Sequence, residues 1–182
     1  MSRISFLAIA LATCMFAGEA SAAAIVIGSS RASACYQAAA HEVATQPTID
    51  GCTRALEDSL NNRDRASTLV NRGILHLIRQ DTDLALADFE SAIRLEPTLA
   101  EGYTHRGLAL MQRNDYRGAV ASITQGIQLS PNEPQKAYFN RAVANEELRD
   151  MRAAYDDYRQ AAALAPNWDM PRTELTRFQV RR

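Results

Sequence analysis

The sequence has few aromatic residues, 7% of the chain, and only eight Gly and six Pro among 182 residues. So few aromatics beside abundant Ala argue against a β sandwich and for helices. Charge of one dominant sign is also missing: 20 Lys+Arg stand against 21 Asp+Glu, a net charge of −1. A near-neutral chain lacks the basic field that nucleic-acid binding uses. Hydrophobic residues at 47% and charged residues at 23% exclude a disordered chain, a collagen and a polytopic membrane protein.

The first residues read as an address. Met1-Ser2-Arg3 supplies one positive charge, and Ile4 to Gly18 is an uncharged, mostly apolar run of 15 residues. That is shorter than the ~20 residues a membrane span needs. Glu19 ends the run, and Ala20-Ser21-Ala22 forms a small-x-small cleavage site, the layout of a secretory signal peptide. The expectation is a signal peptide over 1–22, a mature chain from Ala23 without an integral membrane span, and an arm over 23–32. An uncleaved anchor is the alternative. So is a lipoprotein cut before Cys14, for which Thr13 is a poor fit.

Export changes the meaning of the cysteines. Without Cys14, two of the three remain, Cys35 and Cys52, 17 residues apart. An even number in an oxidising compartment suggests a disulfide, contributing about 3 kcal/mol by chain entropy. The spacing is not the C-x-x-C of redox pairs, and no His or third Cys stands at zinc-ligand spacing.

An internal repeat is the strongest signal in the chain. Asn71-Arg72-Gly73, His105-Arg106-Gly107 and Asn140-Arg141-Ala142 start 34 and 35 residues apart. Gly73 leads to Ala85, Phe89, Ala92 and Pro97 in steps of 12, 4, 3 and 5. Gly107 leads to Ala119, Ile123, Gly126 and Pro131, and Ala142 to Ala154, Tyr158, Ala161 and Pro166, in the same steps. Steps of 3 and 4 put a small, a large and a small residue on one helix face. The small residues let two helices approach, the large one fills the gap, and each proline ends its unit. Asp81, Asp115 and Asp150 stand at helix-start positions as caps, and Thr98 with Glu101 reads as a capping box.

These residues resemble the tetratricopeptide repeat family, over Ala66 to about Pro166. The resemblance implies an all-α, right-handed α-solenoid of antiparallel helix pairs, with units at 66–99, 100–133 and 135–168. Leu69, Tyr103 and Tyr138 hold the family's leading aromatic position. Arg72, Arg106 and Arg141 replace its Leu before the glycine, and His76, Leu110 and Asn145 its Tyr three residues after it. The flanks read as caps: a pair of short helices within 33–62, Ser33 to Ala44 and Thr48 to Leu60, and a helix over Pro171 to Val180 within 170–182. In the repeat register Cys35 and Cys52 would face each other across the first of these. Solenoids need such caps over their open ends.

Relatives of this fold bind protein segments on a concave face lined by the first helix of each unit. Helical phase places Val70, Asn71, Ile74 and Leu77 there, then Thr104, His105, Leu108 and Met111, then Phe139, Asn140, Val143 and Glu146. That face is apolar for a solvated surface. It is either a groove for a peptide or helix of another protein, or is covered by the arm Ala24-Ile25-Val26-Ile27, by the stapled helices or by self-association. Asn71, His105 and Asn140 would orient a bound backbone, with His105 adding pH sensitivity. The clamp some relatives place on a partner's C-terminal carboxylate is not expected: Val70 and Ile74 stand where a cation and an amide are needed, and only Lys136 suits. The three arginines are either a ladder for an acidic partner or pair with acids such as Asp88 and Asp157. Arg172, Arg177, Arg181 and Arg182 make a basic tail.

Nothing in the sequence points to catalysis or to a cofactor or metal. His41, His76 and His105 fall in different helix pairs, and no phosphate loop, nucleophile elbow or metal motif occurs. The reading is an exported, periplasmic or secreted, non-catalytic protein-binding module.

Overall fold

The computed structural model describes residues 23–25 and 29–178. The expected signal peptide, residues 26–28 of the arm and residues 179–182 of the tail lie outside them. Among the described residues there are nine helices and no strand: α1 Ser30–Ala40, α2 Gln46–Leu56, α3 Asn62–Ile78, α4 Thr82–Leu95, α5 Ala100–Gln112, α6 Tyr116–Gln128, α7 Pro134–Glu147, α8 Met151–Leu164 and α9 Asp169–Thr176. No described helix is long and apolar enough to cross a membrane. Consecutive helices pack as antiparallel pairs, and each pair stacks on the next. Helix α3 also touches α5, and α5 touches α7, so the first helices of the units form one inner row.

Each pair closes on a small residue of its first helix. A Cβ built on Gly73 would lie 2.5 Å from Cε1 of Phe89, whose ring is wholly buried. A Cβ on Gly107 would overlap Cγ1 of Ile123 in the same way. In the third unit Ala142 takes this place against Tyr158. Ala85, Ala92, Ala119, Ala154 and Ala161 are fully buried on the second helices. At Gly126 the neighbour is Thr104, whose Cγ2 would stand 2.6 Å from an added Cβ.

The turns inside the units repeat one backbone pattern. Gln80, Asn114 and Arg149 have φ of 66°, 60° and 64°, the left-handed conformation that stops a helix. The residue after each, Asp81, Asp115 and Asp150, donates its backbone N–H to the carbonyl five residues earlier, at 2.9 Å in all three. Asp115 then accepts from the Gly118 N–H at 2.9 Å and Asp150 from the Ala153 N–H at 3.0 Å. Asp81 makes no such cap, and instead pairs with Arg79 at 3.3 Å. Pro97, Pro131 and Pro166 follow α4, α6 and α8 by two or three residues.

Some local expectations change. Helix α1 starts at Ser30 rather than Ser33, because Ser29 caps it through the Ala32 N–H at 3.1 Å. Helix α2 starts at Gln46, ahead of Pro47, because proline is tolerated in a first turn and Thr45 with Thr48 forms a reciprocal capping box. Thr98 and Glu101 form no box. Leu99 is the N-cap of α5, Thr98 bonds Glu96, and buried Glu101 accepts from the Asn132 side chain at 2.6 Å. The last helix spans Asp169–Thr176, short of the sequence expectation, and ends there in a turn.

The two ends are closed differently. Cys35 and Cys52 are bonded, with Cα atoms 4.9 Å apart, and join α1 to α2. Both helices lie against α3. At the other end Leu175 and Phe178 pack on Ala142, Ala154 and Tyr158. The Tyr158 hydroxyl donates to Glu146 at 2.7 Å, and Arg177 pairs with the same carboxylate at 2.8 Å. Burial and this bond push the Tyr158 phenol well above its ordinary range.

Two glycines test the packing rule in opposite directions. Gly73→Ala gains about 1 kcal/mol of helix propensity but forces a methyl into a buried ring, an overpacking cost of about 1–3 kcal/mol. The melting temperature should fall by about 2–4 °C. Gly51→Ala, with nothing within 4 Å of its Cβ, keeps the propensity gain and should raise it by a similar amount. Thermal circular dichroism reads both.

Candidate partner-binding groove

The inner row is where a groove would form, and its first unit is occupied. Asn71 is completely buried. Its side-chain amide holds both main-chain groups of one residue in the arm. The Ala24 N–H donates to Asn71 Oδ1 at 2.9 Å, and Asn71 Nδ2 donates to the Ala24 carbonyl at 2.9 Å. This pair of hydrogen bonds to backbone reads no side chain, so it sets position rather than sequence. Ala23 and Ala24 are buried in the same apolar cluster as Val70 and Ile74, while Ile25 stands 63% exposed.

The expected groove residues separate into four groups. Val70 and Ile74 are core, at 0% and 2% exposure, because α1, α2 and the arm cover the faces of α3 that a three-unit solenoid would leave open. Thr104 and Phe139 turn toward their own unit's second helix or beyond. Thr104 fills the notch at Gly126, and Phe139 lies edge-on to Tyr158 at 5.3 Å and against Trp168 at 5.0 Å. His105 is buried beside Phe89, with ring centroids 5.9 Å apart, and its Nδ1 is 2.9 Å from the Glu101 carbonyl. Leu108, Met111, Asn140 and Val143 remain half-exposed on α5 and α7. They are the exposed part of the candidate surface, and Asn71 belongs to it only beneath the seated arm.

His105 is thus a folding group rather than a groove sensor. Burial holds it below the ordinary histidine value of 6.5, against the raising influences of the Glu101 carbonyl, Glu101 and Glu133; Lys136 lowers it further. His76 is also held down by burial, with Asp88 and Asp81 opposing this and Arg72 and Arg79 adding to it. Lys136, the cation noted for a carboxylate, pairs with Glu133 at 2.9 Å.

The arginine at the repeat position is structural in each unit. Arg72 donates twice to Asp88, at 2.8 and 2.6 Å, and to Thr53 at 3.0 Å. Arg141 does the same to Asp157, at 2.8 and 2.7 Å, and to Thr124 at 3.0 Å. The carboxylate bond raises each guanidinium's pKa. In the middle unit Ser122 stands where the aspartate would be. Arg106 donates to its hydroxyl at 2.9 Å, and that hydroxyl donates on to the Tyr103 carbonyl at 2.9 Å. Arg106 and Arg141 also lie over Tyr103 and Tyr138, 5.5 and 5.4 Å from the ring centres.

Among the described residues no group of three or more His, Cys, Asp and Glu is placed to hold a metal. One cavity of about 210 Å³ lies beside the seated arm, lined by Ala24, Ile25, Arg63, Ser67, Glu101 and Asn132 among others.

Comparison with known proteins agrees with this architecture. A tetratricopeptide repeat family model matches residues 100–133 and 135–167, which hold α5 to α8. The chain is 31% identical over 103 residues to serine/threonine-protein phosphatase 5 of Rattus norvegicus, covering 57% of this chain and 20% of that protein. It is 26% identical over 129 residues to the human mitochondrial import receptor subunit TOM70, covering 68% and 21%. The chain therefore spans about a fifth of the length of these relatives. Among solved structures, the first tetratricopeptide domain of Spaghetti (RPAP3) bound to the HSP90 peptide SRMEEVD matches with a TM-score of 0.60 at 22% identity, covering 63% of this chain and 90% of that one. MamA matches with a TM-score of 0.65 at 16% identity, covering 82% of each chain. The fold is an all-α tetratricopeptide solenoid, and the chain carries repeats of that family.

Two outcomes follow from the buried polar groups. The His105 and His76 pKa values are lowered on folding, so the unfolded chain takes up their protons first. Stability is then fully present above about pH 6.5 and is lost as pH falls below it. Urea midpoints should drop from pH 7 to pH 5, with a shallower drop in His105→Gln. For the ladder, Asp157→Ala strands Arg141 and should cost about 2 kcal/mol. Ser122→Ala removes both the bond from Arg106 and the one to the Tyr103 carbonyl and should cost about 1–2 kcal/mol. Chemical denaturation reads both.

Proposed function

We propose that this chain is an exported, non-catalytic module that holds an extended segment of another protein along the inner row of its first helices. The observation that carries the reading is the Asn71 amide paired to both main-chain groups of Ala24. It makes this row a place where a peptide backbone is recognised. Leu108, Met111, Asn140 and Val143 continue the row as a half-exposed, mostly apolar strip, suited to side chains that follow such a backbone. The RPAP3 domain, of the same fold, is described with a bound peptide, which supports peptide capture as the use of the surface.

The export part rests on the first 22 residues, whose charged start, apolar run and small-x-small end have signal-peptide layout. The Cys35–Cys52 bond is consistent with an oxidising compartment, the periplasm being our assignment and release from the cell the alternative. A structural role, with the row filled by the protein's own arm or by self-association, is the second reading, and the seated arm favours it.

The test is capture from a periplasmic extract by the disulfide-intact chain starting at Ala23. The comparison variant carries Met111→Glu and Asn140→Arg, which alter the half-exposed strip and spare the buried core. A partner held by the parent and lost by the variant is the expected outcome. A partner held equally by both moves the site elsewhere and contradicts the reading, and the absence of any partner favours the structural one.

A further inference from the structure

The arm's fit is uneven along its length, and this unevenness is informative. At Ala24 it is complete: the methyl is 1% exposed and both main-chain groups are bonded to one amide. One residue later it fails. Ile25 is 63% exposed, yet it borders a cavity of about 210 Å³ whose other walls include Arg63, Ser67, Glu101 and Asn132. An aliphatic side chain makes no hydrogen bond to such walls.

We propose that Ala23–Ile25 is a built-in, deliberately weak ligand of the groove. The partner segment that replaces it presents a small residue to Asn71, followed by a side-chain amide that enters the polar cavity. This deepens the groove-binding reading and rests on it. The buried methyl of Ala24 sets the small residue, since anything larger meets the apolar cluster of Val70 and Ile74. The amide follows from the walls: it both donates and accepts, so it can serve the Glu101 carboxylate and the Ser67 hydroxyl or Arg63 guanidinium together. A carboxylate would pair with Arg63 but be repelled by Glu101, and an ammonium the reverse, whereas a neutral amide is repelled by neither. The arm competes for the same Asn71 atoms, so bound partner and seated arm exclude each other.

The test uses the full mature chain and a fluorescent, acetylated peptide with the sequence of residues 23–29. Ala24→Asp puts a charge on the buried methyl position and unseats the arm. Ala24→Pro removes the N–H donor instead and serves as the second arm variant. Fluorescence anisotropy should show both variants binding the peptide at least about tenfold more tightly than the parent, the scale of two lost backbone bonds. Asn71→Leu added to either variant should abolish that gain with melting unchanged. A peptide carrying Gln at the Ile25 position should bind about threefold more tightly again, and one carrying Asp at the Ala24 position should not bind.

Equal binding by parent and arm variants, or none by any chain, overturns the proposal. So does a Gln peptide no tighter than the Ile one, or an Asp peptide that binds normally. Failure here with a partner still captured through the Met111 and Asn140 strip removes only the arm's role. The predicted peptide behaviour with capture unaffected by that strip removes the partner-binding reading and leaves the arm as a structural plug.

Discussion

The distance between the two helices of each unit constrains everything else. It is set where a residue with little or no side chain meets a large one: Gly73 against Phe89, Gly107 against Ile123, Ala142 against Tyr158. Close approach puts these large groups wholly inside the pair and leaves the first helices free to touch one another. The inner row of α3, α5 and α7 is a consequence of that contact. The inner row is therefore a by-product of packing inside the units, and changing the packing would move every residue on it together.

A second layer of order is polar. The guanidinium at each repeat position is half-buried, and it needs a partner because an unpaired buried charge is expensive. Two units supply an aspartate, to which the preceding helix pair adds a threonine, and the middle one supplies a serine that passes the bond on to a carbonyl. The three units are thus alike in backbone and unequal in electrostatics. The ends also differ, one closed by a covalent bond between α1 and α2 and the other by aromatic packing under α9.

How much of this the sequence revealed depends on the range of each interaction. The repeat was legible because its spacing is a property of one unit, copied three times, and the small and large positions fall within it. The helix-stopping residues Gln80, Asn114 and Arg149 were not, since none is the glycine that usually marks such a turn. The faces of the first helices α3, α5 and α7 were misjudged for a different reason. Helical phase identifies a stripe, but a solenoid helix is contacted on several sides, and Thr104 and Phe139 belong to the neighbouring stripe. The sequence reading put Asn71 on the inner row, and nothing local signals its burial, because its partner Ala24 lies 47 residues away and outside every described helix.

That contact decides whether the row is an open surface or one already filled, and the Ala24 amide hydrogen reports on it alone. Ala24 lies outside every helix, so only the bond to Asn71 and the surrounding apolar cluster can slow its exchange with solvent. Amide hydrogen exchange on the disulfide-intact chain should find this proton slowed by about tenfold or more, and Asn71→Leu should return it to the rate of an unstructured peptide. An Ala24 amide that exchanges at the unstructured rate in the unaltered chain would contradict the account, and the row would then stand open.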